Sequence, residues 1–115
     1  MTVVLLSSDL TVLPRVEGAA SRHGHAVRIA STGAQAVDCC ISEKAGLLII
    51  DLASPSLDIA AVVNQLKSSP SSETRVVAFG PHVHENKLAT AQEAGCDLVV
   101  SRGQFFSQVE SILQQ

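Results

Sequence analysis

The order in which apolar runs and amphipathic segments follow one another constrains the fold of this chain most strongly. Five short, mostly apolar runs, at 3–6, 25–30, 47–50, 75–79 and 97–100, alternate with segments whose apolar residues recur at helical spacing. Such alternation is typical of βα units around a parallel sheet. Because strand–helix–strand connections are right-handed, the sequence predicts an α/β fold with a doubly wound, five-stranded parallel sheet.

Several of the amphipathic segments carry their own start or stop signals. Thr32 and Gln35 have the spacing of a capping box, and Gly24 and Gly95 suit the position that follows a helix. The third helix is predicted to begin near Ser56. The residues predicted to face the core from the five helices are Val12, Val16, Ala19, Ala20, Val37, Cys40, Ile41, Ile59, Val62, Val63, Leu66, Leu88, Ala91, Phe105, Phe106, Val109, Ile112 and Leu113.

Length, charge and aromatic content exclude several classes of function. The 115 residues suit one domain that spans 1–115. A net charge of −3, the lack of basic runs and a total of three aromatic residues argue against a nucleic-acid partner. The apolar runs are too short for a membrane span, and the N-terminal run lacks the basic flank of a signal peptide. We therefore expect a cytoplasmic protein with no membrane partner.

In open parallel sheets, chemistry sits at the carboxyl ends of the strands. Here those ends lead into 7–9, Asp51, Gly80 and Ser101. The strand that ends on Asp51 is followed by Pro55 at the fourth position, and 91–97 leads through an Ala-Gly turn into the fifth strand.

This arrangement resembles the receiver domains of response regulators (CheY-like), in which an Asp ends the third strand and a Pro commonly follows four residues later. The resemblance covers the whole chain. It implies a flavodoxin-like (βα)5 fold with strand order 2-1-3-4-5 and makes Asp51 the phosphoacceptor candidate. It also implies two-component signalling and a phosphorelay as the context of the protein.

The departures from the family pattern point to a pseudo-receiver with a degenerate phosphorylation site. Ser7 and Ser8 match the acidic pair that holds Mg²⁺ in the family, and Gly80 matches a Thr or Ser. Ser101 matches a Lys, and Leu98 matches an aromatic residue. A unit-charge contact near 4 Å contributes roughly 4 kcal/mol close to a protein surface. We therefore expect no cofactor, or at most weak Mg²⁺ binding.

Asp9 and Arg102 leave alternatives open. Asp9 could replace the missing acidic pair, and with Asp51 it could contribute to a weak metal site; as a plain structural residue it would cap the first helix. Arg102 could replace the missing lysine, but the neighbour of Ser101 on an extended strand would point the other way, and only a bent strand end would bring Arg102 to the site. Asp51 itself could be a structural carboxylate that is hydrogen-bonded to Ser7 or Ser8.

These observations predict a signalling module that acts by protein–protein interaction through its fourth helix, fifth strand and fifth helix. The partner could be a histidine kinase, another regulator or a second copy of the chain, as in a homodimer. The alternative is a functional response regulator in which a histidine kinase phosphorylates Asp51 with help from Asp9 or Arg102.

An enzyme is the more remote alternative. His82 and His84 could form a metal site with Asp51 or Asp9, which would suit a small metal-dependent enzyme. The sequence has no glycine-rich nucleotide-binding motif and neither Trp nor Tyr for stacking a flavin. We therefore expect no enzymatic activity.

Overall fold

Strands and helices alternate from end to end in the computed structural model, which describes residues 1–114. Gln115, the last residue of the predicted domain, lies outside the described residues. The strands are β1 (Thr2–Leu6), β2 (Ala26–Ala30), β3 (Leu47–Asp51), β4 (Arg75–Gly80) and β5 (Leu98–Ser101). The helices are α1 (Val12–Arg22), α2 (Gly33–Glu43), α3 (Ile59–Lys67), α4 (Glu85–Ala94) and α5 (Arg102–Gln114).

All neighbouring strands are parallel, and they form one sheet in the order β2-β1-β3-β4-β5. This confirms the predicted fold class and strand order. No helix within residues 1–114 combines the length and the apolar character needed to cross a membrane.

The sheet is covered by an apolar layer on each face, which explains why its central strands read as continuous apolar runs. On β1, Val4 and Leu6 belong to the layer that packs under α2 and α3, while Val3 and Leu5 belong to the layer under α1 and α5. Every residue of β3 is buried as well. In contrast, β2 lies at the edge, and its Ile29 is 50% exposed.

Most of the predicted helix boundaries are confirmed. The Thr32 side chain accepts a hydrogen bond from the Gln35 amide at 3.1 Å. The Gln35 side chain in turn accepts one from the Ser31 amide at 3.0 Å, one residue earlier than an ideal capping box requires. Gly95 ends α4 with a φ of 98°, and Gly24 follows α1 with a φ of 75°.

Other predictions in the helical regions were wrong. α3 begins at Ile59 rather than near Ser56, because the Asp58 side chain caps it by accepting a hydrogen bond from the Ala61 amide at 3.1 Å. Ser56 instead has a φ of 57°, a left-handed conformation that does not occur within a right-handed α-helix. Ile41 was predicted to be buried but is 36% exposed.

Two further apolar residues, Leu88 and Phe106, are half-buried rather than fully enclosed in the core. The ring of Phe105, in contrast, is fully buried and stacks on the ring of Phe79 with centroids 4.3 Å apart. This contact fixes the first turns of α5 against β4 and so positions Arg102 and Phe106 at the edge of the sheet.

Candidate functional site at the carboxyl edge of the sheet

The carboxyl ends of four neighbouring strands meet at one edge of the sheet. In the strand register, Leu6 lies beside Ile50, Asp51 beside Phe79, and Gly80 beside Ser101. The structure therefore brings together the strand ends that the sequence singled out, and we refer to this region as the carboxyl edge.

Asp51 lies in the middle of the carboxyl edge and is 4% exposed. Its Oδ2 accepts a hydrogen bond from the Ser7 hydroxyl at 2.8 Å, and its Oδ1 accepts one from the Ala53 amide at 3.0 Å. Each carboxylate oxygen thus accepts one hydrogen bond from a neutral donor of the protein. Of the two possible partners named from the sequence, Ser7 makes the contact, whereas Ser8 is exposed.

Ser7 connects Asp51 to the loop between β1 and α1. Its hydroxyl group donates a hydrogen bond to Asp51, and its hydroxyl oxygen accepts one from the Asp9 amide at 3.1 Å. Ser7 therefore fixes the backbone of this loop relative to the end of β3.

The second carboxylate of the carboxyl edge, Asp9, has a cationic partner. Its Oδ2 accepts a hydrogen bond from Arg102 Nη1 at 2.5 Å, and its Oδ1 accepts bonds from the Thr11 hydroxyl and the Thr11 amide at 2.7 and 2.8 Å. The hydrogen bonds from Thr11, followed by the Arg102 guanidinium, hold the pKa of Asp9 well below its usual range. Asp9 does not cap α1 directly, because Thr11 occupies the N-cap position.

Arg102 reaches the carboxyl edge because the chain turns into a helix immediately after β5. Ser101 and Gln104 cap this turn reciprocally: the Gln104 amide donates to the Ser101 hydroxyl at 3.2 Å, and the Ser101 amide donates to the Gln104 side chain at 3.0 Å. The chain thus bends at the end of β5, which is the condition under which the sequence allowed Arg102 to reach the edge. The Ser-x-x-Gln spacing at 101–104 was the sequence signal that could have placed Arg102 in the first turn of α5.

One aromatic contact, with Phe106, helps to hold the Arg102 side chain in place, and the same ring also contacts an arginine of α1. The guanidinium carbon of Arg102 lies 5.0 Å from the centroid of the Phe106 ring, one helical turn further along α5. The guanidinium carbon of Arg15 on α1 lies 4.8 Å from the same centroid. Phe106 thereby connects α1 and α5, the two helices next to the loop between β1 and α1.

Gly80 lies against an apolar side chain. A Cβ atom added to Gly80 would come within 3.2 Å of the Leu52 Cβ, closer than most real Cβ contacts. Leu52 is buried, and its amide donates a hydrogen bond to the Phe79 carbonyl at 2.8 Å. The space beside Gly80 is thus filled by hydrocarbon.

The residues at the carboxyl edge do not fit a divalent cation held by carboxylates. Asp51 has both oxygens hydrogen-bonded, and Asp9 is paired with Arg102. Within residues 1–114, no group of three or more His, Cys, Asp or Glu side chains is placed to hold a metal ion. His82 and His84 are exposed in the loop before α4 and are not assembled with Asp9 or Asp51 into such a group.

Clefts flank α4 on both sides. A cleft of about 430 Å³ separates α4 from the loop that follows Asp51, and a cleft of about 440 Å³ separates α4 from β5 and the start of α5. Ala91 is the fully buried residue of α4. The helix next to the carboxyl edge is therefore the most loosely packed of those described, while α1, α2, α3 and α5 each bury three or more residues.

Solved structures with closely similar folds are receiver domains. The receiver domain of a sensor histidine kinase from Pseudomonas aeruginosa PAO1, which has a magnesium ion coordinated in its active-site cleft, superposes with a TM-score of 0.82 at 16% identity, over 98% of this chain and 93% of that chain. A response regulator from Hahella chejuensis superposes with a TM-score of 0.83 at 17% identity, over 97% of this chain and 91% of that chain. This chain has the receiver-domain fold.

The phosphorylated cyanobacterial phytochrome response regulator RcpA is also similar, with a TM-score of 0.73 at 16% identity, over 98% of this chain and 88% of that chain. No protein-family model and no curated protein matches the sequence. At such low identities the similarity establishes the fold, and function must be argued from the site itself.

Proposed function

We propose that this chain is a cytoplasmic, receiver-like signalling module (a pseudo-receiver) that acts by protein–protein interaction and does not depend on Mg²⁺-dependent phosphorylation. The observation that carries the proposal is the state of Asp51. Both of its oxygens accept hydrogen bonds from neutral donors of the protein, and the side chain is almost fully buried. The receiver-domain fold supports a role in two-component signalling.

Three positions that the resemblance assigns to phosphoryl chemistry have structural roles here. Ser7 donates to Asp51, Ser101 caps α5, and Gly80 lies against Leu52. Phosphoryl transfer depends on cations and hydrogen-bond donors that are positioned to stabilise developing negative charge. Residues already occupied in these ways do not supply that stabilisation.

Access to Asp51 supports the same conclusion. The residue is 4% exposed, so a phosphoryl donor finds little of its surface. The hydrogen bonds from the Ser7 hydroxyl and the Ala53 amide also stabilise the unreacted carboxylate, because hydrogen bonds to the charged form favour that form.

The partner surface we propose is the face formed by α4, β5 and α5. Its cleft of about 440 Å³ exposes parts of Leu88 and Val99 between polar side chains, including His82 and Gln92. An apolar centre with a polar rim is the usual composition of a protein interface. The partner we propose is a histidine kinase, another regulator or a second copy of the chain.

A functional phosphoacceptor is the second candidate. It is favoured by the position of Asp51 at the carboxyl end of β3, directly before the loop that lines a cleft of about 430 Å³. In this case a histidine kinase would phosphorylate Asp51, and Arg102 would have to leave Asp9 to assist. The first candidate assigns no catalytic activity to the chain.

Incubation with acetyl phosphate and millimolar MgCl₂, followed by intact-mass spectrometry, separates the two candidates. We expect the mass to stay unchanged. An added mass of one phosphoryl group that disappears in Asp51→Asn would contradict the proposal and support the phosphoacceptor.

A further inference from the structure

Asp9, Thr11 and Arg102 are joined to one another by side-chain hydrogen bonds. The Arg102 guanidinium donates from Nη1 to Asp9 Oδ2 at 2.5 Å and from Nη2 to the Thr11 hydroxyl at 2.7 Å. The Thr11 hydroxyl donates a hydrogen bond to Asp9 Oδ1, which also accepts one from the Thr11 amide. Each oxygen of Asp9 therefore accepts at least one hydrogen bond, and the positive charge of the guanidinium lies directly beside the carboxylate.

This set of bonds joins two segments that are far apart in the sequence. Asp9 and Thr11 lie in the loop after β1, whereas Arg102 is the first residue of α5. The Arg102 side chain is 36% exposed and that of Asp9 is 29% exposed, so the pair is only partly screened by water. The cap at Ser101 and the contact with Phe106 fix the direction from which the guanidinium approaches.

A divalent cation bound at such an edge would perform the same two tasks. It would neutralise carboxylate charge, and it would tie together the segments that supply its ligands. The guanidinium performs them with a charge that is permanent at all accessible pH values and with donors in a fixed planar arrangement.

We propose that Arg102 is a built-in counter-ion that takes the place of a bound divalent cation at the carboxyl edge. It binds Asp9 and ties the β1–α1 loop to α5 without a metal ion, so the module holds one conformation whether or not Mg²⁺ is present. This inference deepens the proposed function, because it names what stabilises the edge in a module that works without Mg²⁺.

Arg102→Gln tests this role, because it removes the charge and retains a polar side chain of moderate length. The measurement is a titration with MgCl₂ alone, followed by ¹⁵N–¹H NMR, together with amide hydrogen exchange. In the wild-type protein, the Asp9 and Thr11 amides should not shift at millimolar MgCl₂. In Arg102→Gln, the Thr11 and Val12 amides should exchange about tenfold faster, and MgCl₂ should produce saturable shifts at Asp9.

Arg22→Gln is the matched control. Arg22 also pairs with a carboxylate, Glu110, and also joins α1 to α5, but it lies in the last turn of α1, away from Asp9. This variant should keep the wild-type exchange rates at Thr11 and Val12 and should show no response to MgCl₂.

Two results would overturn the inference. Saturable MgCl₂ shifts at Asp9 in the wild-type protein would mean that Arg102 does not replace the cation. Unchanged amide exchange rates at Thr11 and Val12, or no MgCl₂ shifts at Asp9, in a folded Arg102→Gln protein would mean that Arg102 forms only a surface ion pair. The proposed function fails on a different observation, namely phosphorylation of Asp51, so the two failures can be told apart.

Discussion

The two carboxylates of the carboxyl edge, Asp51 and Asp9, are stabilised in opposite ways. Asp51 is buried and accepts hydrogen bonds from a hydroxyl and a backbone amide, next to the apolar side chain of Leu52. Asp9 is partly exposed and is paired with the guanidinium of Arg102. The Asp51 half of the edge is therefore held by packing and neutral hydrogen bonds, and the Asp9 half by charge.

This difference shows two ways in which one edge of a receiver fold can hold a carboxylate. Burial makes the Asp51 half sensitive to changes in volume and to added charge. Partial exposure makes the Asp9 half sensitive to pH and ionic strength. The predictions below test whether each half responds to its own kind of perturbation.

The largest effect is expected from Leu52→Ala in the Asp51 half. This change removes a buried side chain next to Gly80, and such truncations lower the free energy of unfolding by about 2 to 4 kcal/mol. Urea unfolding followed by far-UV circular dichroism measures the loss. Leu10→Ala is the control, because Leu10 is a leucine of the neighbouring loop that is 83% exposed. A loss as small as that of the control would refute the packing role of Leu52.

Ser7→Asp should have the next largest effect. It replaces the donor to Asp51 with a second carboxylate in a partly buried position, where like charges and a lost hydrogen bond cost about 1 to 3 kcal/mol. Added MgCl₂ should restore part of the lost stability, since a cation can neutralise the new pair. Ser8→Asp, at an exposed neighbouring position, should change stability little. Equal stability of the two variants would show that the Ser7–Asp51 contact is unimportant.

A smaller effect, dependent on pH, is expected from Asp9→Asn. The pKa of Asp9 is lowered in the folded protein, so its ion pair stabilises the fold above the unfolded-state pKa near 3.9 and this contribution is lost as pH falls below it. The variant should therefore be less stable than the wild type by about 1 kcal/mol at neutral pH, and the difference should shrink in acid. Urea unfolding at several pH values tests this. A difference that does not depend on pH would contradict the electrostatic role.

The smallest effect is expected from Arg22→Gln. The Arg22–Glu110 pair resembles the Arg102–Asp9 pair in chemistry, but both of its side chains are about half exposed. The pKa of Glu110 is lowered mainly by its hydrogen bond with Arg22. Because water screens such pairs, thermal unfolding of the variant should differ little from wild type and should converge with it in high salt. A loss of stability larger than that caused by Asp9→Asn would mean that solvent exposure does not explain the difference in strength between the two ion pairs.

The fold could be predicted from the sequence because it depends on patterns that are local to each segment. The continuous apolar run 47–50 predicted a strand buried on both faces, and Gly95 predicted the end of α4; both are confirmed. The start of α3 was missed because Ser56 and Asp58 are both acceptable N-caps, and the turn that holds Ser56 at positive φ decides between them.

The chemistry of the site was less predictable, because it depends on which strand ends meet. The sequence indicated that Asp51 could bond to Ser7, but not that Leu52 would pack against Gly80, which requires the β3–β4 register. The Arg102–Asp9 pair joins residues 93 positions apart and depends on the helix beginning at residue 102. The Ser-x-x-Gln spacing at 101–104 is a local signal for the start of α5. No local signal identifies Asp9 as the partner of Arg102.

The most direct test of the central claim is a titration with Mg²⁺ and beryllofluoride, a stable mimic of a phosphoryl group, followed through backbone amide shifts. Asp51→Asn is the control, since it preserves the shape of the side chain but cannot form the adduct. The account predicts no saturable shifts around Asp51 in the wild-type protein at millimolar Mg²⁺. Large saturable shifts at Asp51 and Ala53 that are absent from the control would contradict it and would make the domain a phosphorylation switch.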